Sequence, residues 1–260
     1  MDYFIVALAA IFVAILTFFS GFGLGTLLMP VFTIFFPIET AIAATAMVHL
    51  ANGLFKIGLV GKHASWPVVL KFGLIAILFA LLGALALDRL TSLEPVAKYQ
   101  LAGKQCMLTW IGIVLGALIA IFAIMEIFGI FEKLKFSRRL LLLGGALSGF
   151  FGGLSGHQGA LRTSFLIHCG LTKQAFIATA VVCSVLVDLM RSAVYIGKGR
   201  LELIDDNHKL SLVVTGIFAA FLGSYIGSRF INKVTMKTIR RLVGVLLLIL
   251  AVVIGSGLLV

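Results

Sequence analysis

Polar residues fall in short clusters along this chain, and between the clusters run eight apolar stretches: residues 4–36, 38–61, 65–90, 105–131, 139–170, 172–197, 209–230 and 238–260. About 20 apolar residues suffice for a helix to cross the hydrocarbon core of a bilayer, and every stretch is at least that long. The first and the fifth are too long for one helix, and both are interrupted by glycine, at Ser20-Gly-Phe-Gly-Leu-Gly25 and at Ser155-Gly-His-Gln-Gly159. The breaks divide them into arms, 4–19 with 25–36 and 139–153 with 159–170. At 1.5 Å per residue a second arm reaches about 18 Å, short of a core of about 30 Å. The pattern therefore predicts an all-α polytopic membrane protein with two re-entrant or broken helical hairpins and six crossing helices.

Composition strengthens this reading. Hydrophobic residues make up 61% of the 260 and charged residues only 12%, too little polar surface to coat a soluble globule. The mean hydropathy is +1.18. A net charge of +11 suits nucleic acid in a soluble protein, but here the charges sit between apolar runs, where they anchor helices, so no nucleic-acid partner is expected. Met1-Asp-Tyr lacks a basic region, which argues against a removable signal peptide. Cys106, Cys169 and Cys183 are widely spaced and read as small core residues. No metal, prosthetic cofactor or enzymatic centre is expected.

Charge also chooses between topologies. If all eight stretches cross, basic residues divide evenly between the two faces. If the first and fifth fold back as hairpins, one face collects Lys62, Lys133, Lys135, Arg138, Arg139, Lys173, Arg229, Lys233, Lys237, Arg240 and Arg241, 11 in all, against 6 opposite. The positive-inside rule then puts the richer face in the cytoplasm and both termini outside, in a plasma (inner) membrane protein.

The two halves resemble each other. Gly25 aligns with Gly159, and Glu39–Ala46 with Lys173–Ala180, at a common offset; Val60-Gly-Lys62 matches Ile196-Gly-Lys198 after a two-residue insertion. A duplication divides the chain into repeat one, 1–131, a linker, 132–138, and repeat two, 139–260. One hairpin plus three crossings is an odd number of passes, so the second repeat is expected to be inverted within a single membrane domain. Trp66 and Trp110 sit towards helix ends, as interfacial aromatic residues do.

Paired interrupted helices mark a transporter's binding site, because half-helix ends and unwound backbone can meet a substrate at membrane depth. The candidate site is Ser20, Gly21, Gly23, Gly25 and Thr26 at the first tip, and Ser155, Gly156, His157, Gln158 and Gly159 at the second. Arg162, one turn into the second arm, could grip an oxyanion with its guanidinium fork. The alternative is that the small residues serve helix packing alone. Asp188 and Arg191, three apart on one helix face, are too deep for the bilayer to tolerate unpaired. Asp188, with His157, is a candidate proton carrier, and Arg191 or Arg162 a charge balance; a permanent Asp188 ion pair with either arginine is the structural alternative. Repeat one carries His49, Asn52 and Lys56 on the corresponding helix, with Asn52 matching Asp188. Lys56, near the cytoplasmic end, reads as a snorkelling anchor.

The duplicated layout, the first tip followed by Leu27-Leu-Met-Pro30, the Ala-Thr-Ala after each hairpin and Gly152-Gly-Leu-Ser-Gly-His-Gln-Gly159 together resemble the TauE/SafE sulfite exporter family, also called the TSUP transporters. The resemblance spans nearly the whole chain. It implies export of a small sulfur-containing anion, sulfite or an organosulfonate, with proton coupling as an option, and two inverted repeats would achieve this by rocking one against the other. A homodimer is compatible with this layout. Two other functions fit parts of the sequence. The tips could line a passive anion channel. Gly153-Leu-Ser-Gly156 also matches the motif of rhomboid-type intramembrane proteases, with Ser155 as nucleophile and His49 as the deep histidine on another helix.

Overall fold

The computed structural model describes residues 1–20, 24–101, 103–130, 136–198, 206–229 and 236–258. Residues 1–131 include α1 (Asp2–Ser20), α2 (Leu24–Thr33), α3 (Ile38–Val60), α4 (Trp66–Thr91) and α5 (Trp110–Ile127). Residues 139–260 include α6 (Leu141–Ser155), α7 (Gly159–Leu166), α8 (Lys173–Gly197), α9 (Asn207–Arg229) and α10 (Met236–Gly255). Among the described residues, α3, α4, α5, α8 and α9 are long and apolar enough to cross a membrane. The second arms are short as expected: α2 has 10 residues and α7 has 8, about 15 and 12 Å of helix.

Local chemistry sets the boundaries. Pro37, which cannot donate, precedes α3, and Pro67 sits in the first turn of α4, where a missing N–H costs nothing. Thr109 and Thr172 cap α5 and α8, their hydroxyl oxygens accepting from the N–H of Gly112 and Ala175. Asp206 does the same for α9, and the N–H groups of Lys209 and His208 hold its carboxyl below the usual carboxylate range.

One element differs from expectation. Residues 97–108 form an antiparallel hairpin, β1 (Ala97–Leu101) and β2 (Lys104–Leu108), so the third of the expected crossing helices begins at Trp110 and not at 105. The turn is made at Gly103, whose φ of +83° is open to glycine without strain. Tyr99 donates its hydroxyl hydrogen to the carbonyl of Ser256, which ties the hairpin to the end of α10.

The outward surface is apolar, the reverse of a soluble helix. Leu70, Leu74, Leu78 and Leu82 form an exposed ridge on α4, while Gly73, Ala76, Ala80 and Gly83 face inward. Those inward small residues let backbones touch. Gly145, Gly149 and Gly153 of α6 lie against Phe72, Ala76 and Ala80 of α4; the paired numbers rise together, so the helices are parallel. Likewise Gly216, Gly223 and Gly227 of α9 lie against Val6, Ile11 and Phe18 of α1, also in parallel.

Contacts fix the remaining directions. The N–H of Ser65, just before α4, donates to Thr179 Oγ1 and Gly73 faces Cys183, so α4 runs with α8. Val48 meets Gly216 and Asn52 meets Ser224, so α3 runs with α9. His49 meets Asp188 while Gly53 faces Val185, so α3 and α8 are antiparallel. Gly112 lies by Ile254 and Gly244 by Ala123, so α5 and α10 are antiparallel as well. Thus α1, α3 and α9 point one way and α4, α6 and α8 the other. The three cysteines are buried free thiols.

Candidate functional site

Asp188 is fully buried on α8, and each of its carboxylate oxygens has two partners. Oδ1 accepts from Arg191 Nε and from Gln158 Nε2, both at 2.9 Å; Oδ2 faces His49 Nδ1 at 2.6 Å and Ser184 Oγ at 3.5 Å. Gln158 passes the contact on, because its Oε1 accepts from Arg162 Nη1 at 2.9 Å. Arg191 therefore pairs with Asp188 directly and Arg162 through an amide. His49 is the middle residue of α3, which sets this polar layer halfway along the crossing helices.

Arg191 also reaches the helix breaks. A Cβ on Gly156 would stand 2.6 Å from Arg191 Nη1. One on Gly25 would stand 3.9 Å from Arg191 Nη2, 3.8 Å from the Gly156 carbonyl oxygen and 3.6 Å from His49 Cδ2. The start of α2, the end of α6 and the guanidinium thus meet at one place. Gly156 is needed there twice over, for its left-handed φ of +81° at the α6 C-cap and for the room it leaves the guanidinium. Arg191 Nη2 is buried with no hydrogen-bond partner among the described residues.

A cavity of about 60 Å³ adjoins this layer. Its polar wall is Thr17, Asn52, Lys56, Arg162, Ser184 and the edge of His49, and Leu24, the first residue of α2, reaches it from the first hairpin. Towards the face that carries Lys62 and Lys173, the walls turn apolar at Leu59, Val60, Phe176 and Ile177. Arg162, Arg191 and Lys56 against Asp188 leave a positive excess around layer and cavity, at a depth where uncompensated charge is costly.

The remaining sequence candidates fall as follows. Gly21 and Gly23 lie outside the described residues, as do the side chains of Ser20 and Thr26. Ser155 Oγ donates to the Phe151 carbonyl at 3.0 Å and meets His157 Nδ1 at 2.8 Å. The His157 ring stacks on Phe122 and does not join the Asp188 cluster. His49, the histidine that a protease would aim at Ser155, faces Asp188 instead. Asn52 Oδ1 accepts from Ser224 Oγ at 2.8 Å. Gly159 opens α7.

Lys56 differs from the anchor reading. It is half-buried, lines the cavity and holds Nζ 5.2 Å from the centre of the Phe18 ring. Gly53, one turn earlier, packs on Val185 and turns this face of α3 inward. Ser184 and Ser148 are additions. Ser184 lies one turn before Asp188, a spacing that could have revealed it; Ser148, which donates to the Gln158 carbonyl, is reached only through the hairpin fold.

The glycine-broken apolar helices and the cationic centre agree with a match to a known family: the one described as sulfite exporter TauE/SafE matches residues 6–254. The chain belongs to the sulfite exporter TauE/SafE family. No curated protein matches it, and no solved structure does. Membership in TauE/SafE fits the five helices among the described residues that are long and apolar enough to cross a membrane, and makes membrane transport the setting for the buried layer.

Proposed function

We propose that this protein moves a small sulfur-containing anion, sulfite or an organosulfonate, out of the cytoplasm by alternating access, with the anion held where the two broken hairpins meet. The observation that carries this reading is the Arg191 guanidinium between Gly25 and Gly156, with Nη2 buried and unpartnered among the described residues. Around it, α2 and α7 begin, and the first N–H groups of a helix lack an intrahelical acceptor and carry its positive dipole end, which favours an oxyanion. Positive excess in a desolvated layer adds to that preference.

Opposite directions of α1 and α6, of α3 and α8, of α4 and α9 and of α5 and α10 support two inverted repeats. The cavity opens towards the face with Lys62 and Lys173, which the positive-inside rule assigns to the cytoplasm, an inward-open state. Beyond it, Asp188, Arg191 and Gln158 are almost completely buried, a dead end that suits alternating access better than a channel. Because α1 packs on α9 and α6 on α4, the bodies that rock are mixed from both repeats.

In proteoliposomes, wild type is expected to give sulfite flux that thiosulfate or a small sulfonate competes away. Arg191→Ala and Arg162→Ala should each lower it at least tenfold, the loss for one charge-assisted hydrogen bond of about 1.5 kcal/mol. Sulfite flux that survives both substitutions would remove the site from this place.

The His49–Asp188 contact supports proton coupling, since His49 also borders the cavity and so links a titratable ring to water. His49→Gln is expected to flatten the pH dependence of flux between about pH 5 and 8. An unchanged pH profile in that variant would exclude His49 as the carrier.

A further inference from the structure

Asn52 is buried in α3, and Ser224 Oγ of α9 donates to its Oδ1 at 2.8 Å. Ser224 is itself fully buried and has little freedom to turn aside, because its neighbour Gly223 rests on the backbone of α1 at Ile11. A planar amide carries its acceptor and its donors at different ends. With Oδ1 held by α9, the NH2 end of Asn52 is turned away from α9, and Asn52 lines the cavity. A strut between α3 and α9 needs no more than the Ser224 bond. The two N–H donors that remain still require an acceptor, since a polar group taken out of water without one is costly. Arg162 of α7 and Ser184 of α8 line the same cavity from the second half of the chain.

We propose that Asn52 is a binding residue for the transported oxyanion, giving its amide N–H groups to an anion oxygen in the cavity, and that Ser224 is the positioning residue that keeps this end of the amide turned to the anion. The pair makes this part of the wall donor-only. It therefore accepts a bare, deprotonated oxygen and refuses a ligand that presents a hydrogen there, because two donors would then face each other with neither paired. A neutral donor also adds affinity without adding another charge to be compensated when the anion leaves. This inference rests on the transport reading for the identity of the anion, but its test is binding and needs no flux.

Calorimetric titration of the detergent-solubilised full chain with sulfite, and with methanesulfonate as an anion that stays unprotonated, decides it. Asn52→Ala is expected to weaken both about tenfold, the loss of one hydrogen bond to a charged group. Ser224→Ala should cost about threefold, because the amide is then free to turn, and the double variant should lose no more than Asn52→Ala, because Ser224 acts only through Asn52. Ser224→Thr, which keeps the hydroxyl, should restore binding. A purely structural pair would lower the midpoint of thermal unfolding and leave the affinities unchanged; that result overturns the inference and leaves the transport reading standing. Additive losses in the double variant overturn the positioning role of Ser224. If Asn52→Ala does not yield folded protein, Asn52→Asp has the same shape and still accepts from Ser224, but sets an oxygen in place of the NH2. It should abolish binding, and binding retained there overturns the inference. Failure of both sulfur anions, with hydrogenphosphate binding in an Asn52-dependent way, keeps the inference and sinks the sulfur assignment. Binding of none of these anions sinks both.

Discussion

Asp188→Ala is expected to lower stability by about 3–5 kcal/mol, the usual cost of removing one partner of a buried charge pair, and to abolish transport. The substitution strands the Arg191 Nε, takes the acceptor from Gln158 Nε2 and leaves His49 without its partner, all around a fully buried position. Lost van der Waals contact is minor beside an uncompensated guanidinium. Asp188→Asn keeps the shape and one acceptor oxygen, so it should fold with a smaller loss and still impair flux. Thermal unfolding in detergent separates the two. Wild-type stability in Asp188→Ala would mean that the cluster does not hold the helices together.

Gly149→Val is expected to prevent recovery of folded protein. Even its Cβ would stand 2.7 Å from Ala76 Cα and 2.8 Å from Ala76 C, closer than atoms approach, and the obstacle is backbone that cannot rotate away. Overpacking a core costs about 1–3 kcal/mol when side chains can adjust, and here α4 as a whole must shift from α6. The polar layer is disturbed with it, since Gly156, the C-cap of α6, lies against the Arg191 guanidinium. Gly58→Ala is the matched control, because a Cβ there meets nothing within 4 Å, and Ala is the better helix former. Size-exclusion profile and yield read the difference. A monodisperse Gly149→Val would show the α4–α6 contact to be looser than its geometry.

Long apolar runs make most helix limits legible: 65–90 was expected and Trp66–Thr91 is found, 172–197 against Lys173–Gly197, 209–230 against Asn207–Arg229. A bilayer-length run has one way to satisfy its backbone in lipid, so pattern and structure agree. The hairpin at 97–108 was not legible, because its strands of five residues follow the polar tract and blend into the apolar run behind them. Within the candidate site, the Asp188–Arg191 pair follows from a three-residue spacing on one helix. His49 and Asp188 are 139 positions apart, and nothing local joins them. Lys56 shows the limit of reading depth alone: position along a helix is given by sequence, but rotation about its axis is set by the neighbours that Gly53 and Asn52 meet.

The exchange of partners between the halves also governs how the chain is made. Ile11 of α1 rests on Gly223 of α9, 212 positions later, so on a ribosome adding about 5–20 residues per second the first helix waits about 10–40 s for its groove to be synthesised. Until then its small-residue face is turned to lipid or to whatever insertion factor shields it. A premature stop anywhere before α9 leaves α1 orphaned in the bilayer, and the first half cannot serve as a finished unit on which the second is later added.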